Sequence, residues 1–232
     1  MKFAAWQKVS LIDFPGRIAA LLFTQGCDLH CPYCHNPDLV PAAGAAPQLD
    51  AEGEVIPFLK KRVGKLDGVV ISGGEPTLHA GLPGFCAELH DLGYAVKLDT
   101  NGTSPAVLSR LLGEGLVDYV AMDIKTAPDL YGGFTAIADA AERVAGCVRM
   151  LEESGVPHEF RIPCASPFIN EDTFPAVCRL VPRGSLMYLQ AIRLGRVLMP
   201  EFFEERGRPL DTAEIETLCR FAKEHGIDCR VR

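Results

Sequence analysis

The stretch IAALLFTQGCDLHCPYCHNPDL, residues 18–39, joins two unlike halves. Its first half, IAALLFTQ, is a short apolar run closed by polar residues, the form of a buried parallel strand. Its second half carries Cys27, Cys31 and Cys34 within eight residues, spaced C-x3-C-x2-C, with no fourth cysteine close behind. Three thiolates on one tight loop can ligate a metal ion or an iron–sulfur cluster. A closed zinc tetrahedron usually takes two ligand pairs set apart in the chain, and no second pair follows. His30 and His35 each adjoin a cysteine and are badly placed to share its metal. A closed ferredoxin cluster needs four cysteines. There remains a [4Fe–4S] cluster with three protein ligands and one open iron, and an open position is what makes a metal site catalytic.

The rest of the chain repeats the strand. DGVVISGG (67–74), YAVKLDTNG (94–102), DYVAMDIK (118–125), HEFRIPCA (158–165) and SLMYLQAI (185–192) follow, and most are short apolar runs that end in Gly, Asn, Pro or a polar residue. Helical segments are expected between and after them, over 51–64, 80–92, 104–113, 137–155, 171–180 and 211–225. The fourth has an apolar stripe at Ile137, Ala141, Val144, Val148 and Leu151 and a stop at Gly155. The third follows Asn101-Gly102-Thr103-Ser104-Pro105, a cap with Pro in the first turn. The Ala, Pro and Gly-rich stretch 40–54 reads as a loop or weak turn. Strand–helix alternation implies right-handed crossovers and an all-parallel sheet, open or curved into a partial barrel. Functional groups should then gather at the C-terminal strand ends.

Composition sets the outer bounds. The 232 residues, 48% hydrophobic, suit one domain over 1–232, with a core at about 18–195 and a helix and tail at 196–232. A mean hydropathy of +0.12 excludes disorder. The net charge of −7 argues against a nucleic-acid surface. The apolar run IAALLF is far shorter than a membrane-spanning helix, and MKFAAWQKVSLIDFPG has no signal-peptide pattern, so a cytoplasmic protein without membrane contact is expected. Cys86, Cys147, Cys164, Cys178, Cys219 and Cys229 stand singly in apolar or helical stretches and read as reduced, buried residues. Cys164, at a strand end, is the one best placed to meet a substrate.

Cys27-x3-Cys31-x2-Cys34, with the aromatic Tyr33 before the last cysteine, resembles the signature of the radical S-adenosylmethionine (SAM) enzymes. The wider string FTQGCDLHCPYCHNPDL is similar to the branch that activates glycyl radical enzymes. The resemblance implies a partial (β/α)6 parallel barrel. It implies a [4Fe–4S] cluster whose open iron chelates SAM, and an electron from the cluster that cleaves SAM to a 5′-deoxyadenosyl radical. It also implies a protein substrate, with a flavodoxin- or ferredoxin-like electron donor.

Carried over residue by residue, the resemblance makes Gly73-Gly74-Glu75 the motif for the SAM ammonium. Asp99 and Thr100 would lie near the SAM carboxylate or ribose. Asp123 and Lys125 alternate on one strand face, where unpaired charge would be costly unless they face a site. They match the family's D-x-K in the SAM pocket, and Arg161 would meet the SAM carboxylate. Gln190 stands where the pyruvate formate-lyase activase pattern has His, and a Gln there can bond ribose or adenine. Asp13, in SLIDFPGRIA (10–19), would hold the partner's glycine loop. In some members these Asp and Thr positions also bind a monovalent cation. The implied function is a radical SAM activase, with anaerobic ribonucleoside-triphosphate reductase favoured as partner over pyruvate formate-lyase. A small-molecule enzyme such as a 7-carboxy-7-deazaguanine synthase is the runner-up, and a noncatalytic zinc module the alternative from another class.

Overall fold

The computed structural model describes residues 1–41 and 48–232, which form two compact units. Residues 42–47 of the Ala, Pro and Gly-rich stretch lie outside the described residues.

The first unit comprises Met1–Asp28, Asp38–Thr100 and Ala106–Val120. It opens with β1 (Lys2–Phe3) and β2 (Ala5–Ser10), then β3 (Ala19–Thr24) and β4 (Leu49–Asp50). A widened helical turn over Ala51–Val55, capped by Asp50, leads into α1 (Ile56–Lys60). β5 (Gly68–Gly73), α2 (Leu82–Asp91), β6 (Ala95–Thr100), α3 (Pro105–Gly113) and the start of β7 (Tyr119–Asp123) follow. β3, β5 and β6 pair in parallel and in that order, with Leu21 opposite Val70 and Val70 opposite Lys97. One apolar cluster fills a face of these strands, built from Phe14, Ala19, Leu21 and Val70 with Phe23, Ala95 and Tyr119 against it.

The second unit comprises Leu29–Pro37, Asn101–Pro105 and Ala121–Arg232. It holds the end of β7, then α4 (Ala140–Ser154), β8 (His158–Ser166), α5 (Phe174–Leu180) and β9 (Leu186–Ala191). α6 (Pro200–Glu205), β10 (Arg208–Pro209), α7 (Thr212–Glu224) and β11 (Asp228–Val231) complete it. β8 and β9 pair in parallel. The apolar stripe of α4 is buried at Val144, Val148 and Leu151, and the helix stops at Gly155 in the left-handed region. Gly146 lies inside α4, and a methyl group there would meet only Arg149 Nη2 at 3.9 Å. Gly146→Ala should therefore stabilise the chain by about 1 kcal/mol, read as a higher denaturant midpoint with unchanged slope.

All six expected strands and all six helical segments are present, within a few residues of their expected bounds. The all-parallel sheet is corrected at β2 and at the two-residue β10, which runs antiparallel to β8. β2 runs antiparallel to β3, because the turn over residues 11–16 returns the chain directly without a crossover helix. β11 adds a further parallel strand beside β9. Both escape the sequence pattern because they are edge strands with one or two inward residues each: Ser10 and, partly, Trp6 in β2, and Cys229 in β11. The helix expected over 51–64 ends at Lys60, before a turn that places Gly64 at φ +75°. Among the described residues no helix is long and apolar enough to cross a membrane.

Candidate active site

In the first unit the strand ends converge on the base of the cysteine loop. Gly26 N–H donates to Leu39 O at 2.7 Å and Cys27 N–H to Val40 O at 3.0 Å, which closes the loop's two arms together. The end of β5 packs directly on this base. Gly74 N–H donates to Thr24 O at 3.0 Å, and Glu75 N–H to Gly26 O at 2.7 Å. A Cβ on Gly73, at φ +129°, would lie 2.1 Å from Thr24 N, and one on Gly74 2.0 Å from Gly26 O. The neighbour that demands these two glycines is thus the chain's own loop backbone.

Glu75 is completely buried. Its Oε1 accepts from Thr77 N at 3.0 Å, Thr77 Oγ1 at 2.6 Å and Thr100 Oγ1 at 2.8 Å. Thr100 at the end of β6 is therefore joined to the Gly-Gly-Glu motif through one carboxylate oxygen. Asp99 is held by a residue that sequence reasoning passed over: Lys97 Nζ donates to Asp99 Oδ1. Asp13 sits in the turn after β2, accepting from Ser10 Oγ, directly after Leu11 and Ile12, which are 72% and 84% exposed.

In the second unit the other two cysteines and the remaining charged residues meet. Cys31 is buried, Cys34 is half-buried, and Cys34 N–H donates to Cys31 O at 2.9 Å. The loop is pinned at its flanks, since His30 N–H donates to Phe134 O at 2.7 Å and Met199 N–H to Pro32 O at 3.1 Å. Asp123 is gripped from two sides: Lys125 Nζ reaches Oδ2 and Arg161 Nε reaches Oδ1, each at 2.8 Å. Burial alone would raise the Asp123 carboxyl, but the Arg161 and Lys125 charges outweigh it and hold it below its usual value. Burial would likewise lower the Lys125 ammonium, and Asp123 and the Cys31 sulfur together hold it above its usual value.

Two phenols clamp the backbone of Lys125. Tyr33 Oη donates to Lys125 O at 2.5 Å, and Lys125 N–H donates to Tyr131 Oη at 3.2 Å. Both rings are buried, and burial pushes both hydroxyls above the usual phenol value, with Cys31 adding to the effect. Tyr33 also packs edge-on against Phe134 and Phe168, each with centroids 5.8 Å apart. Tyr131→Phe should leave the Lys125 N–H buried without its acceptor, costing about 1–3 kcal/mol of stability in denaturant titration.

Of the residues expected at the site, Tyr33, Asp123, Lys125 and Arg161 are joined to one another by these bonds, and Cys31 and Cys34 lie in the same unit. Lys97 was legible by the same alternation that links Asp123 to Lys125, whereas Tyr131 carries no sequence signal. Gln190 is half-buried in β9, in register with Pro163. The six dispersed cysteines are all buried. Cys164 is corrected as a substrate contact: its Sγ turns back toward Ile162 O at 3.5 Å, and burial pushes the thiol up to about 12. His35 bonds Arg193 O at 3.1 Å.

None of the described cysteines is disulfide-bonded. Among the described residues no three His, Cys, Asp or Glu side chains form a ready-made metal-binding group, so the loop sequence is what links the three thiols. Reduced thiols of this spacing are the donor chemistry an iron–sulfur cluster takes.

The fold and these groups define an α/β enzyme whose polar residues lie at the C-terminal ends of parallel strands. Residues 21–181 match the radical SAM superfamily, and the chain belongs to that family. That family works with a [4Fe–4S] cluster and SAM. A protein of Methanocaldococcus jannaschii named as a glycyl-radical enzyme activating enzyme is 28% identical over 94% of this chain and 90% of its own length. The 7-carboxy-7-deazaguanine synthase of Aquifex aeolicus is 40% identical over 34% of each chain. The pyruvate formate-lyase-activating enzyme of Staphylococcus aureus is 35% identical over 41% of this chain and 39% of its own. Among solved structures, SuiB of Streptococcus suis bound to S-adenosylmethionine aligns with a TM-score of 0.59 at 12% identity, over 91% of this chain and 51% of SuiB. This likeness shows the α/β radical SAM fold.

Proposed function

We propose that the chain is a radical SAM activase that takes a hydrogen atom from a glycine of a partner glycyl radical enzyme, with anaerobic ribonucleoside-triphosphate reductase as that partner. The observation that carries the reading is the seating of the Gly-Gly-Glu motif on the cysteine loop, through the Glu75 N–H to Gly26 O bond of 2.7 Å. That bond ties a candidate SAM group to the loop of a candidate cluster. The full-length similarity to a protein named as a glycyl-radical enzyme activating enzyme supports the substrate class.

Cys27, Cys31 and Cys34 would hold the cluster. When bound, the cluster and SAM supply one-electron chemistry ending in hydrogen abstraction, and the chain positions and shields it. From the first unit, Gly73 and Gly74 let Glu75 sit at the loop base, where it would take the SAM ammonium beside Asp99 and Thr100. By the family resemblance, Tyr33, Asp123, Lys125, Arg161 and Gln190 are further candidates for binding SAM. Arg161 is oriented by its Nε bond to Asp123, which suits planar recognition of a carboxylate. Asp13 would meet the partner's glycine loop, and a flavodoxin- or ferredoxin-like protein would deliver the electron.

The test combines anaerobically reconstituted, reduced chain and SAM with purified partners. A glycyl-radical doublet in the EPR spectrum of ribonucleoside-triphosphate reductase is the expected result. A doublet only in pyruvate formate-lyase would reassign the partner. The local match to a deazaguanine synthase supports a second reading, and turnover of that enzyme's small-molecule substrate without any doublet would establish it.

A further inference from the structure

Lys97 is 1% exposed, one of the largest fully buried side chains among the described residues, on a strand face that is otherwise apolar at its level. It stands opposite Val70 of β5, itself opposite Leu21 of β3, in the layer above Ala95 of the apolar cluster. An ammonium in that setting requires an anion, and Asp99 two residues along the same face supplies it, accepting from Nζ through Oδ1. The ring of Tyr119 lies 5.9 Å from Nζ and adds a second favourable face. The two side chains are only 2% and 13% exposed, so water screens the pair weakly.

We propose that Lys97 is an internal cation for the end of β6: it orients the Asp99 carboxylate and neutralises it, so that SAM binding there needs no monovalent metal ion. This rests on the reading of Asp99 as part of the SAM pocket. A lone carboxylate at that strand end would recruit a hard cation with oxygen ligands before a second carboxylate, that of SAM, could approach it. A covalently tethered ammonium does the same work at no cost in bound ions. Lys97 is thus a positioning residue acting through Asp99. The monovalent cation expected by family resemblance is replaced here by a side chain.

The experiment measures SAM binding to the reconstituted chain by equilibrium dialysis, with choline as the sole monovalent cation and then with potassium or sodium. Wild-type affinity should stay within about twofold across the three salts. Lys97→Met should bind at least about tenfold more weakly in choline, and potassium or sodium should restore most of the loss. A purely structural lysine would give no ion-selective rescue. Wild-type affinity that rises severalfold with potassium or sodium would overturn the inference without any variant, as would a folded Lys97→Met protein that binds normally in choline. Wild type that binds iron but no SAM in any salt would instead overturn the functional reading, and this inference with it.

Discussion

Cys31→Ala is expected to abolish reductive SAM cleavage and to reduce reconstituted iron to background, while the chain stays folded. The two halves of this result have separate causes. The backbone around Cys31 is held by groups the substitution leaves alone. His30 N–H still reaches Phe134 O, Met199 N–H still reaches Pro32 O, and Cys34 N–H still reaches the residue-31 carbonyl. Removing a buried thiol of this size costs about 1 kcal/mol in packing, well inside the stability of a domain. The chemistry has no such redundancy, because a three-ligand cluster that loses one thiolate has two left, and no other described cysteine lies outside the core to replace it. Iron per chain, the visible absorption of the brown protein and 5′-deoxyadenosine yield measure the loss, and circular dichroism measures the retained fold. Normal cleavage by this variant would remove Cys31 from the ligand set.

What sequence could show follows from how local each signal is. The strand β3 and the thiols after it are contiguous, so an apolar run and a spacing suffice. Asp123 and Lys125 are two residues apart on one strand face, and the cost of burying unpaired charge marks them from sequence; in the fold they pair with each other and with Arg161. The same rule, applied to Lys97 and Asp99, would have found the buried pair. Longer-range features leave no such trace. Tyr131 reaches back to Lys125 from a short 3-10 helix over Pro128–Gly133, and only the folded chain brings its hydroxyl 3.2 Å from that N–H. The edge strands β2 and β11 lack a full apolar face, since an edge strand has less to bury. Gly73 and Gly74 were legible as close-approach glycines, but what approaches them is Thr24 and Gly26 of the same unit.

That last contact carries the second large prediction. Gly74→Ala should lower stability by several kcal/mol and reduce iron incorporation as severely as losing a cysteine ligand. The added Cβ would lie 2.0 Å from Gly26 O, 2.6 Å from Gly26 C and 2.9 Å from Leu39 O. All three are backbone atoms, so no side chain can rotate away. Gly26 and Leu39 are also bonded to each other at 2.7 Å, and they are the two arms of the cysteine loop at its base. Relief therefore requires moving the loop or pulling the end of β5 off it, and either movement breaks the Glu75 N–H to Gly26 O bond. Overpacking a core typically costs about 1–3 kcal/mol, and a clash against rigid backbone stands at or above that range. Gly84→Ala is the matched control: it lies in α2 with nothing within 4 Å, and should leave both stability and iron content intact or slightly improved. A thermal melt and an iron assay on the pair separate a general intolerance of alanine from the specific seat of the loop. Wild-type iron content in Gly74→Ala would mean that the cluster does not depend on that seat, and would detach the Gly-Gly-Glu motif from the metal centre.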